Sequence, residues 1–189
     1  MSGKSAIMIA TGLFVVANTV HAANHERAVI VTSSNTVNNQ LLVYDTTGAL
    51  IESVPTLGQG GVNDNAGGIA VGNGLIAVVN HGSQTVSLVS RTQSGFALSQ
   101  VVAVASPPVS VVFGKDHLYV LGTTTVESHR LGSDGIDLTS DGVVPLLAAD
   151  GSAAQVGVAG SQLIVTEKTR MRRIPVTKLG KEIPASDSP

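Results

Sequence analysis

The chain has 189 residues, enough for one ordinary domain with a real hydrophobic core and no need of disulfide support. Its 11 Lys and Arg against 13 Asp and Glu give no basic field to gather phosphates, which excludes nucleic acid as the expected partner, and the absence of cysteine excludes a thiol nucleophile and thiolate metal sites. The 43% hydrophobic content, carried mostly by Val, Ile, Leu and Ala, together with 21 Gly, is the composition of many short strands joined by tight turns.

The N-terminus opens with Lys4 and the apolar run Ala6–Ala17 (AIMIATGLFVVA). That run is too short to cross a bilayer, which takes about 20 helical residues. Val20-His21-Ala22 then supplies the small-residue pattern read by signal peptidase, so the sequence predicts a signal peptide over 1–22 and cleavage before Ala23. Left uncleaved, the same run would act as an anchor; the small-residue site favours cleavage. The mature protein is expected in the periplasm or secreted, and no later segment is apolar enough to span a membrane.

Strand patterns follow in order. Val29–Thr32, Leu41–Asp45 and, after a turn at Thr47-Gly48, Ala49–Val54 form a first group that lacks an inner strand. A second group begins with a strand, an Asn73-Gly74 turn and Leu75-Ile76-Ala77-Val78, and continues through Thr85–Arg91, a turn at Gln93-Ser94-Gly95, and Phe96–Val102. The strand–Gly–strand unit returns at Val112–Val120 and at Val158–Val165. The leucines after the turn, Leu75, Leu118 and Leu163, lie 43 and 45 residues apart, and a second turn glycine recurs at Gly95, Gly135 and Gly180, spaced by 40 and 45. A period in the low forties with four strands per copy is that of a propeller blade. The expected fold is therefore all-β, a partial β-propeller of about three to four four-stranded blades over 23–177. Where the last copy needs an apolar third strand it reads Arg170-Met171-Arg172-Arg173-Ile174-Pro175, and proline in a charged stretch argues against a strand there. Residues 178–189 are expected to form an irregular tail.

The segment Ala77-Val78-Val79-Asn80-His81-Gly82-Ser83-Gln84-Thr85-Val86-Ser87-Leu88 resembles the repeat of YVTN-type β-propellers, which runs Tyr-Val-Thr-Asn, a Gly-Ser-Asn turn, then Thr-Val-Ser-Val. Leu118-Tyr119-Val120-Leu121-Gly122 with Thr125-Val126 is a weaker second copy. The family includes lactonases of the phosphogluconolactonase and carboxymuconate cyclase kind beside exported proteins with no known reaction, so the resemblance implies the fold more sharply than the activity. Its members typically close seven blades, which at about 43 residues per blade need roughly 300 residues. Three arrangements would account for the shortfall: a truncated family member, a half-ring completed by a second copy as a homodimer, and a tight four-bladed ring. The abrupt loss of pattern at Arg170 favours truncation; an atypical capping segment would also fit.

With strands lettered a to d from the centre outward, the d-to-a and b-to-c connections of a propeller emerge on one face beside the channel. That face is expected to carry the loop Pro55–Gly68, the turn Asn80–Gln84, Ser106-Pro107-Pro108 and the segment Glu167–Thr169. Asn63, Asp64 and Asn65, after a glycine run, offer oxygens to a small polar ligand or a hard cation such as Ca²⁺, although the same residues are ordinary turn formers and lack the alternating pattern of an EF-hand. Asn80, His81, Glu167 and Lys168 complete the candidate ligand-binding set, with His81 and Glu167 as candidate base and acid. Glu127 and His129 alternate on one strand face and are expected to be a solvated pair, and no metal cluster is expected. The d-to-a loops lack the histidines that lactonases of this fold often place there, and no Gly-x-Ser-x-Gly elbow, His-Glu-x-x-His helix, dinucleotide fingerprint or phosphate loop occurs. The expected function is binding or interaction with an unidentified small polar ligand or protein; the alternative is a lactonase-like hydrolase acting at the channel mouth.

Overall fold

A computed structural model describes residues 28–61, 67–133, 135–168, 170–176 and Leu179. The predicted signal peptide, Asn63–Asn65 and the tail beyond Leu179 lie outside the described residues. Strand pairing organises the chain into four antiparallel sheets in sequence order. Sheet 1 contains β1 (Ile30–Ser33), β2 (Gln40–Tyr44) and β3 (Leu50–Pro55). Sheet 2 contains β4 (Ile69–Gly72), β5 (Leu75–Asn80), β6 (Thr85–Arg91) and β7 (Phe96–Ala103). Sheet 3 contains β8 (Pro108–Phe113), β9 (His117–Gly122), β10 (Thr125–Arg130) and β11 (Gly142–Pro145). Sheet 4 contains β12 (Ala153–Ala159), β13 (Gln162–Glu167) and β14 (Arg170–Pro175). The protein is a partial β-propeller.

Each sheet is a run of hairpins whose registers follow from local chemistry. The β4–β5 pair closes through Asn73-Gly74, both at positive φ (52° and 74°), the backbone that a two-residue hairpin turn requires and that Asn-Gly adopts at low cost. Strand periodicity then decides which side chains meet the neighbouring sheet. On β5, Ile76 and Val78 pack toward Leu41 and Val43 of sheet 1, while Ala77 and Val79 pack toward Leu118 and Val120 of sheet 3. On β9, Tyr119 and Leu121 turn the other way, to Leu163 and Val165 of sheet 4. The two middle sheets are therefore apolar on both faces, as successive blades must be.

A repeated device fixes the spacing between sheets. On β3 the Glu52 carboxylate accepts from the amide of Phe96, at 3.1 and 3.2 Å, in the turn that leads into β7. On β7 Gln100 does the same for the next blade, accepting from the amide of Ile136 at 2.9 Å and donating to its carbonyl at 2.7 Å. Gly95 and Gly135 recur because these side chains lie where their Cβ atoms would be. The corresponding residue of β11 is Gly142, four residues before Leu146 just as Glu52 precedes Thr56 and Gln100 precedes Val104, and there the backbone of Leu179 approaches directly. Leu179 is fully buried between sheets 3 and 4, with its carbonyl accepting from the Ser128 hydroxyl.

Residues 170–175, expected to have lost the blade pattern, form a strand paired with β13 along its whole length. The proline stands at its last position, where a missing N–H costs little, and Ile174 points inward, 1% exposed, while Met171 and Arg173 point outward. The charge of Arg173 thus falls on the outer face, while Arg172, on the inner face with Ile174, reaches across to the carbonyl of Pro145 at 3.3 Å.

Candidate binding face

The b-to-c turns and d-to-a connections do meet on one side of the sheets. The connection after β3 is bonded to two turns: the amides of Gly60 and Gly61 donate to the Thr36 carbonyl and the Asn35 side chain at 2.8 Å each, while the amide of Gln59 donates to the Ser83 hydroxyl at 3.0 Å. From the opposite side the amide of Gly82 donates to the carbonyls of Gln59 and Gly60, both at 2.9 Å. Glycine is needed at position 60 because the backbone of Asn35 occupies the place of a Cβ. Next to Asn35, on the side of β1 and β4, a cavity of about 360 Å³ opens, lined by Thr32, Ser33, Asn35, Gly67, Gly68 and Ile69 among others. Gly67 and Gly68 stand at its edge; Asn63, Asp64 and Asn65 lie outside the described residues.

Asn80 is completely buried. Its side-chain oxygen accepts from Asn39 Nδ2 at 2.9 Å and from Thr56 Oγ1 at 2.8 Å, and its nitrogen donates to Thr85 Oγ1 at 3.1 Å and Ser87 Oγ at 2.8 Å. The amide thereby joins sheet 1, the connection after it and sheet 2. Gly58 lies directly against it, so Gly58→Ala is expected to press a methyl into this amide and to cost about 1–3 kcal/mol, read as a lower urea midpoint. The sequence marked Asn80 by its place at the end of β5; its partner Asn39, which resembles any turn asparagine, carries no comparable mark.

His81 is half-buried, with Nδ1 at 3.2 Å from the Pro108 carbonyl where sheet 3 begins. Glu167 is buried at the end of β13, paired across the sheet with Ala153. Lys168 is exposed, and its amide donates to the Ser152 carbonyl at 2.8 Å. Sheet 3 stands between the sheets that carry His81 and Glu167. Among the described residues no group of three or more His, Asp or Glu is placed to hold a metal ion.

The Glu127–His129 pair is buried, not solvated: the residues are 3% and 1% exposed, on the face of β10 turned to sheet 2. Both Glu127 oxygens accept from the Ala105 amide, at 3.0 and 3.2 Å. His129 Nδ1 is 2.8 Å from the Asp137 carbonyl, so it carries the hydrogen, and Nε2 faces Glu127 Oε1 at 3.8 Å. Burial alone lowers the imidazole pKa, but Glu127, the Asp137 carbonyl and the charge of Asp141 together outweigh it and raise the pKa above the ordinary value of 6.5. The cause is geometric: the neutral ring aims a lone pair at a carboxylate, and protonation replaces it with an N–H. Sequence spacing put both residues on one face but could not say that sheet 2 covers it.

No family model matches the chain, and no curated protein matches it. Solved structures do. A putative 6-phosphogluconolactonase from Bacteroides uniformis superposes with a TM-score of 0.52 at 13% identity, over 77% of this chain and 52% of that one. A second, from Bacteroides fragilis, gives 0.55 at 10% identity, over 78% and 50%. BamB from Moraxella catarrhalis gives 0.55 at 10% identity, over 83% and 47%. At these identities the likeness is one of fold, and the chain spans about half the length of the structures it matches.

Proposed function

We propose that the chain is an exported β-propeller module of the YVTN type that binds a small polar ligand or a protein on the face where its inter-strand loops converge. The observation that carries this reading is a cavity of about 360 Å³ lined by the polar side chains of Thr32, Ser33 and Asn35, the last of them bonded to the connection at 56–61 through the Gly61 amide. Glycine-rich backbone at the rim permits close approach, and Asn63, Asp64 and Asn65 would supply oxygens to the ligand or to Ca²⁺. Export rests on residues 1–22, and the mature chain would then act in the periplasm or outside the cell.

The second reading, lactone hydrolysis, is favoured by the two lactonase-like structures of similar fold. Against it, His81 is carried by sheet 2 and Glu167 by sheet 4, with sheet 3 between them. Hydrolysis of a sugar δ-lactone, measured for the exported protein and for its His81→Ala and Glu167→Ala variants, separates the two readings. The binding role predicts no turnover above the uncatalysed reaction. Turnover that falls by about 100-fold or more in either variant would install the hydrolase reading instead.

A further inference from the structure

We infer that the two outermost sheet faces are a mating pair, and that two copies of this chain close into one ring by packing sheet 1 of each against sheet 4 of the other. The argument starts from register. In each sheet with a complete inter-sheet contact, the residues near the ends of the b and c strands alternate between the preceding and following neighbour: Ile76 and Val78 look back to sheet 1, Ala77 and Val79 look forward to sheet 3. Carrying the same alternation to the ends, Ile30, Thr32, Leu42 and Tyr44 occupy the backward face of sheet 1, since the pairs Ile30–Tyr44 and Thr32–Leu42 lie directly opposite one another. Ile164, Thr166, Met171 and Arg173 occupy the forward face of sheet 4 by the pairs Ile164–Arg173 and Thr166–Met171.

These are positions that sheets 2 and 3 bury between blades, and most remain apolar here. Ile30 is 52% exposed and Met171 is 65% exposed. A face that no neighbour covered would be free to carry charge at every one of these positions, and only Arg173 does so. The faces thus continue the established blade-to-blade packing in both directions. The occupant is indicated by the comparison of lengths: the chain matches 52%, 50% and 47% of three propeller structures, so two copies supply the material of one ring. Because each copy offers one backward and one forward face, a two-fold arrangement makes both contacts at once and leaves neither face open.

The inference is independent of the ligand proposed above, and its test reads mass, not binding. The full chain, expressed with its N-terminal segment and recovered after export, is examined at tens of micromolar by light scattering coupled to size exclusion. A discrete dimer is expected, dissociating to monomer in both Ile30→Glu and Met171→Glu while their far-ultraviolet circular dichroism stays that of the parent. Because the chain has no cysteine, the double variant Leu42→Cys, Met171→Cys gives a clean second measurement, with oxidation expected to yield a covalent dimer and no other covalent species. A monomer, a dimer indifferent to both glutamates, an open series of larger assemblies, or a native chain whose own further blades cover these faces would each overturn the inference.

Discussion

Replacing Glu127 with alanine is expected to lower the free energy of unfolding by about 3–5 kcal/mol, the usual cost of removing one member of a buried charged pair. Two groups lose their partner together: the Ala105 amide, which heads the connection into sheet 3, and His129 Nε2, which faces Glu127 from within the interface between sheets 2 and 3. The change also alters pH dependence. In the parent protein His129 has its pKa raised above 6.5, so its protonation stabilises the fold; that contribution is fully present below pH 6.5 and is lost as pH rises through the folded-state value. Without Glu127 the largest of the influences that raise the pKa is gone, so the loss of stability on the alkaline side should shrink. Glu127→Gln separates the effects, because its side-chain oxygen still accepts from Ala105 while the charge is gone. Thermal midpoints recorded from pH 5 to 8 should show the parent losing stability toward the alkaline side, with that loss reduced in both variants and the alanine variant the less stable of the two throughout.

Asn80→Ala should cost about 3 kcal/mol, since truncation strands buried partners in sheet 1, in the connection after it and in sheet 2 at once. Urea unfolding is the measurement, with a lower midpoint and an unchanged slope as the expected result. The close approach of Gly58 to this amide makes a coupling experiment possible. In an Asn80→Ala background the Gly58→Ala methyl no longer meets Cγ and Nδ2 and keeps only the contact with Cβ, so the double variant should be more stable than the sum of the single losses by about 1 kcal/mol. An additive pair would show that the two residues do not share this contact in solution.

The repeat was legible because its chemistry is local. Asn73-Gly74 dictates a tight hairpin, and the leucines at 75, 118 and 163 mark the same strand in three sheets. The recurring turn glycines were equally visible, but their cause was not: Gly95 and Gly135 yield space to Glu52 and Gln100, residues about 40 positions away that only the stacking of sheets brings near. The strand at 170–175 was misjudged for a related reason. A proline at a strand terminus, one arginine on the outward face and another that reaches a carbonyl of the neighbouring sheet do no harm to pairing, and deciding which face is outward requires knowing that sheet. Among the candidate site residues, placement on the loop face was readable from strand order. Whether a polar side chain there meets a ligand or its own scaffold was not, and Asn80 spends its whole amide on the scaffold.

Among the described residues the apolar core falls into clusters that each join neighbouring sheets, so it is a chain of interfaces rather than one centre whose loss unfolds everything. Sheets 2 and 3 are gripped from both sides, whereas within one chain sheets 1 and 4 are held from one side each. Amide hydrogens of β5, β6, β9 and β10 should therefore exchange last, with openings that begin at the two ends and travel inward as separable steps. Anything that seats against the end sheets would slow exchange there first and would turn a fraying stack into one that opens as a unit.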